Sequence, residues 1–229
     1  MISLSKSRLS NAECLRSFYH RYVTKKYKET FDESTTHGIS RHKQVENYIL
    51  AGDFLEEGYL RQQVDLILAR ANDAGCRLIV EESFGMTRDY LPCSPTNWSK
   101  CWLRASPDLA VLNDDKVLYV DFKTGKPREN ELQYLCNFLV MKAHYPEIKV
   151  MKATSIWENH GVTDDPSIYS EVMLQSYKEQ LEALATPIEQ AEQSNEWTPS
   201  PSKWTCMFCP GKPLNGGDCA FADTSPHYK

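Results

Sequence analysis

The sequence predicts an α/β domain with a mixed central sheet flanked by helices. Three observations lead there. Segments follow one another in the order helices, strand, hairpin, helix, strand, helix. Two apolar, β-branched runs, LAVL at 109–112 and VLYV at 117–120, flank the turn-forming Asn113-Asp114-Asp115-Lys116 and read as a hairpin. Directly after it, residues 127–145 place Leu132, Leu135, Cys136 and Leu139 on one helical face, a cover for the sheet.

The elements can be taken in order. Residues 3–28 read as one or two helices, with Ser5 or Ser10 able to cap the first turn. Helical spacing through Ile39, His42, Val45, Glu46 and Ile49 predicts a helix over 38–50, and another is expected at 58–73. CRLIVEESFGM (76–86) reads as the first strand, 91–99 as a loop and IKVMKATSIW (148–157) as a later strand. Asp164-Asp165-Pro166 is a turn, and 168–194 a long polar helix broken or kinked near Pro187. Residues 194–204 resemble a linker, and the last 25 are rich in Gly, Pro and Cys. The expected organisation is one integrated domain: a helical part at 1–75, a core at 76–193, and a linker with a cysteine-rich tail at 194–229, the tail packed near the N-terminal helix.

An apolar fraction of 41% and a charged fraction of 25% are ordinary for a soluble globular chain of 229 residues. No transmembrane span or signal peptide stands out, so a cytoplasmic location is expected, the host cytoplasm if the protein is viral. A net charge of −5 argues against indiscriminate coating of DNA. Its distribution says more. Residues 1–30 carry +5 and the other 199 carry −10. Arg8, Arg16, Arg21 and Lys25 on a basic N-terminal segment are therefore candidate phosphate contacts.

The chemistry concentrates on the hairpin. A four-residue loop pairs Leu112 with Val117, and the antiparallel register carried outward sets Asp108 opposite Asp121. Opposed residues lie roughly 4.5–5.5 Å apart. Two carboxylates that close repel unless a cation lies between them or one is protonated. Lys123, two residues beyond Asp121, shares its face. Two acids and a lysine thus converge, as a metal site with a water-orienting group would require.

Ser106-Pro107-Asp108, a spacer of twelve residues and Asp121-Phe122-Lys123 resemble the PD-(D/E)XK nuclease superfamily. The continuation DFKTGK is similar to its RecB-like branch. The resemblance implies a restriction-endonuclease-like core in which Asp108, Asp121 and the Phe122 carbonyl bind Mg²⁺ or Mn²⁺, with Lys123 orienting or activating the attacking water. Gly38-x3-His42-x3-Glu46 resembles an upstream helix of that branch in which the histidine completes the metal shell, here His42. Glu46 is one turn away on the same face. Glu82 matches an acid often found near the metals, and Glu81, on the opposite strand face, is the alternative. Gln133 matches a DNA-contacting glutamine; the tyrosine expected four residues later is replaced by Asn137.

Cys206-x2-Cys209-x9-Cys219 in a glycine-rich tail is a ligand pattern with one ligand missing. Iron–sulfur members of the RecB-like group, the CRISPR-adaptation nucleases and AddB subunits, carry one N-terminal and three C-terminal cysteines on a [4Fe-4S] cluster. That resemblance implies Cys14 as the fourth ligand, although the nine-residue gap is longer than usual. Zn²⁺ on the three tail cysteines with Cys14 or His227 is the alternative, and free thiols another. Cys76, Cys93, Cys101 and Cys136 lack ligand spacing and read as core or loop thiols.

The expected function is a metal-dependent deoxyribonuclease, an exonuclease on single-stranded DNA or DNA ends. A protein partner in a recombination, repair or CRISPR-adaptation complex is compatible with it. The alternative is a non-catalytic DNA-end-binding subunit of such a complex. An RNA substrate also stays open.

Overall fold

The computed structural model describes residues 2–27, 33–207 and 209–222. The chain divides into two compact units, one made of residues 1–30 with 179–229 and one of residues 31–178. These boundaries differ from those expected at 75/76 and 193/194. The helical residues 33–73 fall in the unit with the strands, and residues 1–30 fall with 179–229.

In the end-segment unit, α1 (Lys6–Ser10) is capped by Ser5, whose hydroxyl accepts the Arg8 N–H. A short helix, α2 (Leu15–Phe18), continues as a π-helical turn over Tyr19–Val23. Phe18 is fully buried, stacked on Trp197 and edge-on to Tyr22.

The other unit opens with α3 (Glu33–Ala51) and α4 (Tyr59–Asp73). Strands follow: β1 (Arg77–Val80), β2 (Phe84–Met86), β3 (Pro92–Cys93), β4 (Leu103–Ala105), β5 (Leu109–Asn113) and β6 (Lys116–Lys123). After α5 (Glu131–His144) come β7 (Val150–Trp157), β8 (Val162–Thr163) and β9 (Ser167–Ser170). Helix α6 (Leu174–Ser194) begins in this unit and ends in the other, where α7 (Lys203–Met207) lies. Among the described residues no helix is long and apolar enough to cross a membrane.

The main sheet runs β1-β5-β6-β7-β8, with β9 also on β7; among the described residues only its β6–β7 pair is parallel. This is the mixed sheet flanked by helices that the segment order predicts. One face carries Leu109, Val111, Val120, Phe122 and Ile156 into a core with Val45 of α3 and Leu60 and Val64 of α4. By the period of two, Tyr119, Asp121 and Lys123 take the other face, where α5 packs. A second sheet, β3-β2-β4, stands apart. Gly85 in β2 is needed there, because a Cβ would come 2.9 Å from both the Cys101 sulfur and the Cys93 carbonyl.

Five expectations are corrected. The strand expected over 76–86 is two strands in different sheets, because Glu81 takes a left-handed backbone (φ 50°) that turns the chain. Asn113 pairs with Lys116, so the hairpin loop is two residues long; the Leu112–Val117 register is unaffected. The first residues expected in the 168–194 helix pair with β7 as β9 instead. Helix α6 then continues through Pro187 without a break. One turn back, the Thr186 hydroxyl donates to the Glu182 carbonyl at 2.7 Å, and the helix supplies its other bonds around the missing N–H. Pro127 precedes rather than opens α5, which starts at Glu131.

Candidate active site

The hairpin register delivers two carboxylates to one place. The last paired residues are Leu109 and Val120, so Asp108 and Asp121 follow next to each other, 7% and 0% exposed. Asp108 Oδ2 accepts the Phe122 N–H at 2.7 Å, which locks the acid onto the neighbouring strand. His42, from the buried side of α3, sets Nδ1 3.4 Å from that same oxygen and 3.3 Å from Glu81 Oε1. The ligand atoms of His42, Glu81 and Asp108 all lie within 4.8 Å of one another.

Glu81 reaches this position because of its backbone. Its left-handed φ costs of order 1–2 kcal/mol for a non-glycine residue. The Glu81 N–H donates to the Pro107 carbonyl at 3.0 Å, and the Ser106 hydroxyl donates to the Glu81 carbonyl. The kink is thus tied to the segment that carries Asp108.

Asp121 is surrounded by donors. Its Oδ1 accepts from Gln133 Nε2 at 2.6 Å, while Oδ2 pairs with Lys123 Nζ at 2.7 Å and accepts from Ser155 at 3.3 Å. Lys123 also donates to Gln133 Oε1, and Gln133 Nε2 to the Tyr119 hydroxyl. Asn137 donates to that hydroxyl too, a structural use of the position where the resemblance expects a tyrosine.

Electrostatics follow from burial. Desolvation, then the charge of Asp108, lifts the Asp121 carboxyl to about 7, although Lys123 and His42 pull the other way. Burial pulls the His42 imidazole down. Hydrogen bonds to Asp108 and Glu81 outweigh it and raise the group to about 10. Burial and Asp121 push the Tyr119 hydroxyl well above its ordinary value.

One imidazole nitrogen with two carboxylate oxygens fits a divalent ion of the Mn²⁺ or Mg²⁺ kind, the nitrogen favouring the softer Mn²⁺. A cation there would also offset the repulsion between buried carboxylates. The expected ligands do not all meet at one point. Asp121 is not one of the three grouped residues and has both oxygens engaged by protein donors, Phe122 meets Asp108 through its N–H, and Glu82 is exposed and outside the group, which holds the alternative, Glu81. Glu46 instead pairs with Lys43. Period-two reasoning could not choose between adjacent glutamates, because the deciding kink is a tertiary feature. Tyr119 and Ser155 had no motif to point to them.

In the end-segment unit, Cys14, Cys206, Cys209 and Cys219 line one apolar pocket with Pro199, Pro201 and Phe221. All four are free thiols. The Ser200 N–H points at Cys14 Sγ at 3.4 Å, and Ser17 Oγ lies 3.3 Å from Cys209 Sγ. Burial, with smaller contributions from the other three thiols, raises the Cys206 thiol. The tail loop folds tightly enough that a Cβ on Gly217 would meet the Gly211 backbone at 2.2 Å. His227 lies outside the described residues.

Arg8, Arg21 and Lys25 line a second pocket in that unit, with Ser5, Ser7, Tyr22 and Tyr27. The Arg8 guanidinium bonds the Ser3 carbonyl and lies 5.2 Å from the Tyr22 ring centre. Arg16 does not line this pocket.

No family model matches the chain, and no curated protein matches it. Among solved structures it is similar to LHK-Exo in complex with dAMP, with 12% identity and a TM-score of 0.42 over 84% of this chain and 93% of that chain. It is also similar to the alkaline exonuclease LHK-Exo from Laribacter hongkongensis, with 13% identity and a TM-score of 0.30 over the same shares.

Proposed function

We propose that this chain is a metal-dependent deoxyribonuclease of the PD-(D/E)XK superfamily, in its RecB-like branch, that cuts single-stranded DNA or DNA ends exonucleolytically. The observation that carries the reading is His42, Glu81 and Asp108 grouped beside the Asp121–Lys123 pair. A divalent ion bound by those three would polarise a phosphate oxygen and lower the pKa of a water. The chain supplies the rest. Lys123, steadied by Asp121 and Gln133, offers a fixed ammonium where a water is oriented or phosphoryl charge develops. Gln133 contacts the substrate strand from the start of α5. Arg8, Arg21 and Lys25, with Arg16 nearby in sequence, hold phosphates.

The four-cysteine pocket supports a [4Fe-4S] cluster as a second cofactor. Four thiolates on one Zn²⁺ lie about 4 Å apart, from a Zn–S distance of ~2.3 Å. Among the described residues no three of these sulfurs gather within 4.8 Å. A cubane carries each thiolate on a separate iron and so holds them farther apart. Such a staple joins sequence ends nearly two hundred residues apart. A partner in a recombination, repair or adaptation complex belongs to the same reading.

The purified protein with Mn²⁺ should degrade labelled single-stranded DNA. DNA left whole, while a control nuclease cuts it, would overturn the reading. DNA binding that needs no metal and leads to no cleavage would support the non-catalytic end-binding subunit instead. A preference for RNA over DNA would reassign the substrate.

A further inference from the structure

The connection between β3 and β4 is built from small polar residues and one tryptophan. Ser94, Thr96, Asn97 and Ser99 close it with hydrogen bonds among themselves, and the Cys101 N–H returns to the Asn97 carbonyl at 2.8 Å. The turn is therefore organised, yet its one large apolar ring faces outward: Trp98 is 59% exposed. The turn is anchored beneath by Cys101, Trp102 and Leu103, all fully buried.

The ring is not bare on both sides. The Arg104 guanidinium lies over it, with Cζ 3.9 Å from the ring centre. The Arg104 Nε is buried with no hydrogen-bond partner, and no carboxylate pairs with this arginine among the described residues. A flat aromatic surface backed by an uncompensated cation, with Lys100 exposed close by in the chain, suits the π-face of a nucleobase and its phosphate.

The chain path links this stack to the acids. From Arg104 in β4 the chain leaves the strand after Ala105 and continues through Ser106 and Pro107 to Asp108, and the partner strand β2 begins three residues after Glu81. Four residues of extended chain span at most ~13 Å, or roughly two to four nucleotides of a single strand.

We infer that Trp98 and Arg104 form a stacking platform for an unpaired base of the strand whose phosphate lies at the His42–Glu81–Asp108 group. This rests on the nuclease reading for the phosphate and on the ring geometry for the base. The platform engages a single strand a few nucleotides from the point of cleavage. It offers nothing to a fully stacked duplex, whose base faces are covered. Trp98 is here a positioning residue for substrate, remote from the reacting atoms.

The test uses Trp98→Ala and Trp98→Phe in the full chain. On a labelled single-stranded oligodeoxynucleotide with Mn²⁺, Trp98→Ala should raise KM about ten- to a hundred-fold, the worth of one base–aromatic stack, with kcat nearly unchanged. Trp98→Phe should stay close to wild type. Hydrolysis of the p-nitrophenyl ester of thymidine 5′-phosphate, too short to reach the ring, should be equal in all three proteins. Fluorescence anisotropy in EDTA should give the same loss in single-strand affinity, independent of any cleavage. Unchanged single-strand affinity in Trp98→Ala would overturn the platform, as would equal losses on single strand and blunt duplex. So would parallel slowing on oligonucleotide and ester, which makes the ring merely structural. A protein that cuts nothing, but whose single-strand affinity falls with Trp98→Ala, would overturn the nuclease reading and leave the platform standing.

Discussion

Arg41 holds both carboxylate oxygens of Glu158, its Nε lying 2.8 Å from Oε1 and 2.9 Å from Oε2. The two side chains are only 12% and 18% exposed, and the hydrogen bonds to Glu158 raise the Arg41 pKa against the cost of burial. Arg41 immediately precedes His42 on α3. Glu158 immediately follows β7, whose last residue, Trp157, pairs with Lys123. One ion pair therefore ties the helix bearing the imidazole to the strand end beside the lysine.

Removing one partner leaves the other charge poorly compensated in a largely buried place. Glu158→Gln should cost about 3 kcal/mol. That corresponds to a fall in Tm on the order of 10 °C. It should also weaken Mn²⁺ binding, because His42 loses its brace. Differential scanning calorimetry and a Mn²⁺ titration check both; an unchanged Tm would mean that the pair is solvated in practice.

Asp108 and Lys123 should separate chemistry from folding. Asn at 108 retains an oxygen for the Phe122 N–H, so Asp108→Asn should keep its circular dichroism spectrum and lose cleavage. Lys123→Ala should lower kcat by about 10²–10³-fold, the usual effect of removing one fixed charge-stabilising donor. Full activity in either variant would place the reaction elsewhere.

Metal-free protein should become less stable as pH rises. The His42 pKa is raised from 6.5 to about 10, so its contribution is complete below 6.5 and is lost as pH climbs through 10. Asp121, raised from 3.8 to about 7, acts in the same direction between those values, since its ionisation is disfavoured in the fold. An ion on His42 must displace the proton. The gain in Tm from Mn²⁺ should therefore grow between pH 6 and pH 9, and titration calorimetry in two buffers of different ionisation enthalpy should register about one proton released at pH 8. A gain in Tm that does not change with pH would remove His42 from the ligand set.

Anaerobic purification should give a brown protein containing iron and sulfide. Cys14→Ser and Cys219→Ser should each deplete the iron while leaving metal-free residues 31–178 able to bind Mn²⁺ in the full chain. A colourless protein with stoichiometric zinc would assign the pocket to Zn²⁺ instead.

The hairpin was legible because its information is local. Alternating apolar residues and a turn set the Leu112–Val117 register, and Asp108 and Asp121 followed from counting. Helix α4 was equally plain from its spacing. The kink that favours Glu81 over Glu82 was not, since LIVEESF carries no break signal; it is held because Pro107 and Asp108 accept the Glu81 N–H from a distant part of the chain. Short strands β3, β8 and β9 escaped for a related reason. Two to four residues hold too little periodicity, and pairing with β2 or β7 creates the strand. Of the site, the acids and lysine were visible as a motif, while the Arg41–Glu158 brace and the Ser155 and Tyr119 contacts depend wholly on packing.

The cysteine pocket makes the timing of biogenesis unusual. Cys14 is synthesised before Cys206, Cys209 and Cys219 and must wait for them, with residues 31–178 synthesised in between. The sheet-bearing segment can mature while the end-segment unit is still half missing. The four-cysteine pocket can close only once Cys219 has been made, and a chain truncated before Cys206 keeps every acid of the candidate site while lacking the means to finish the other unit.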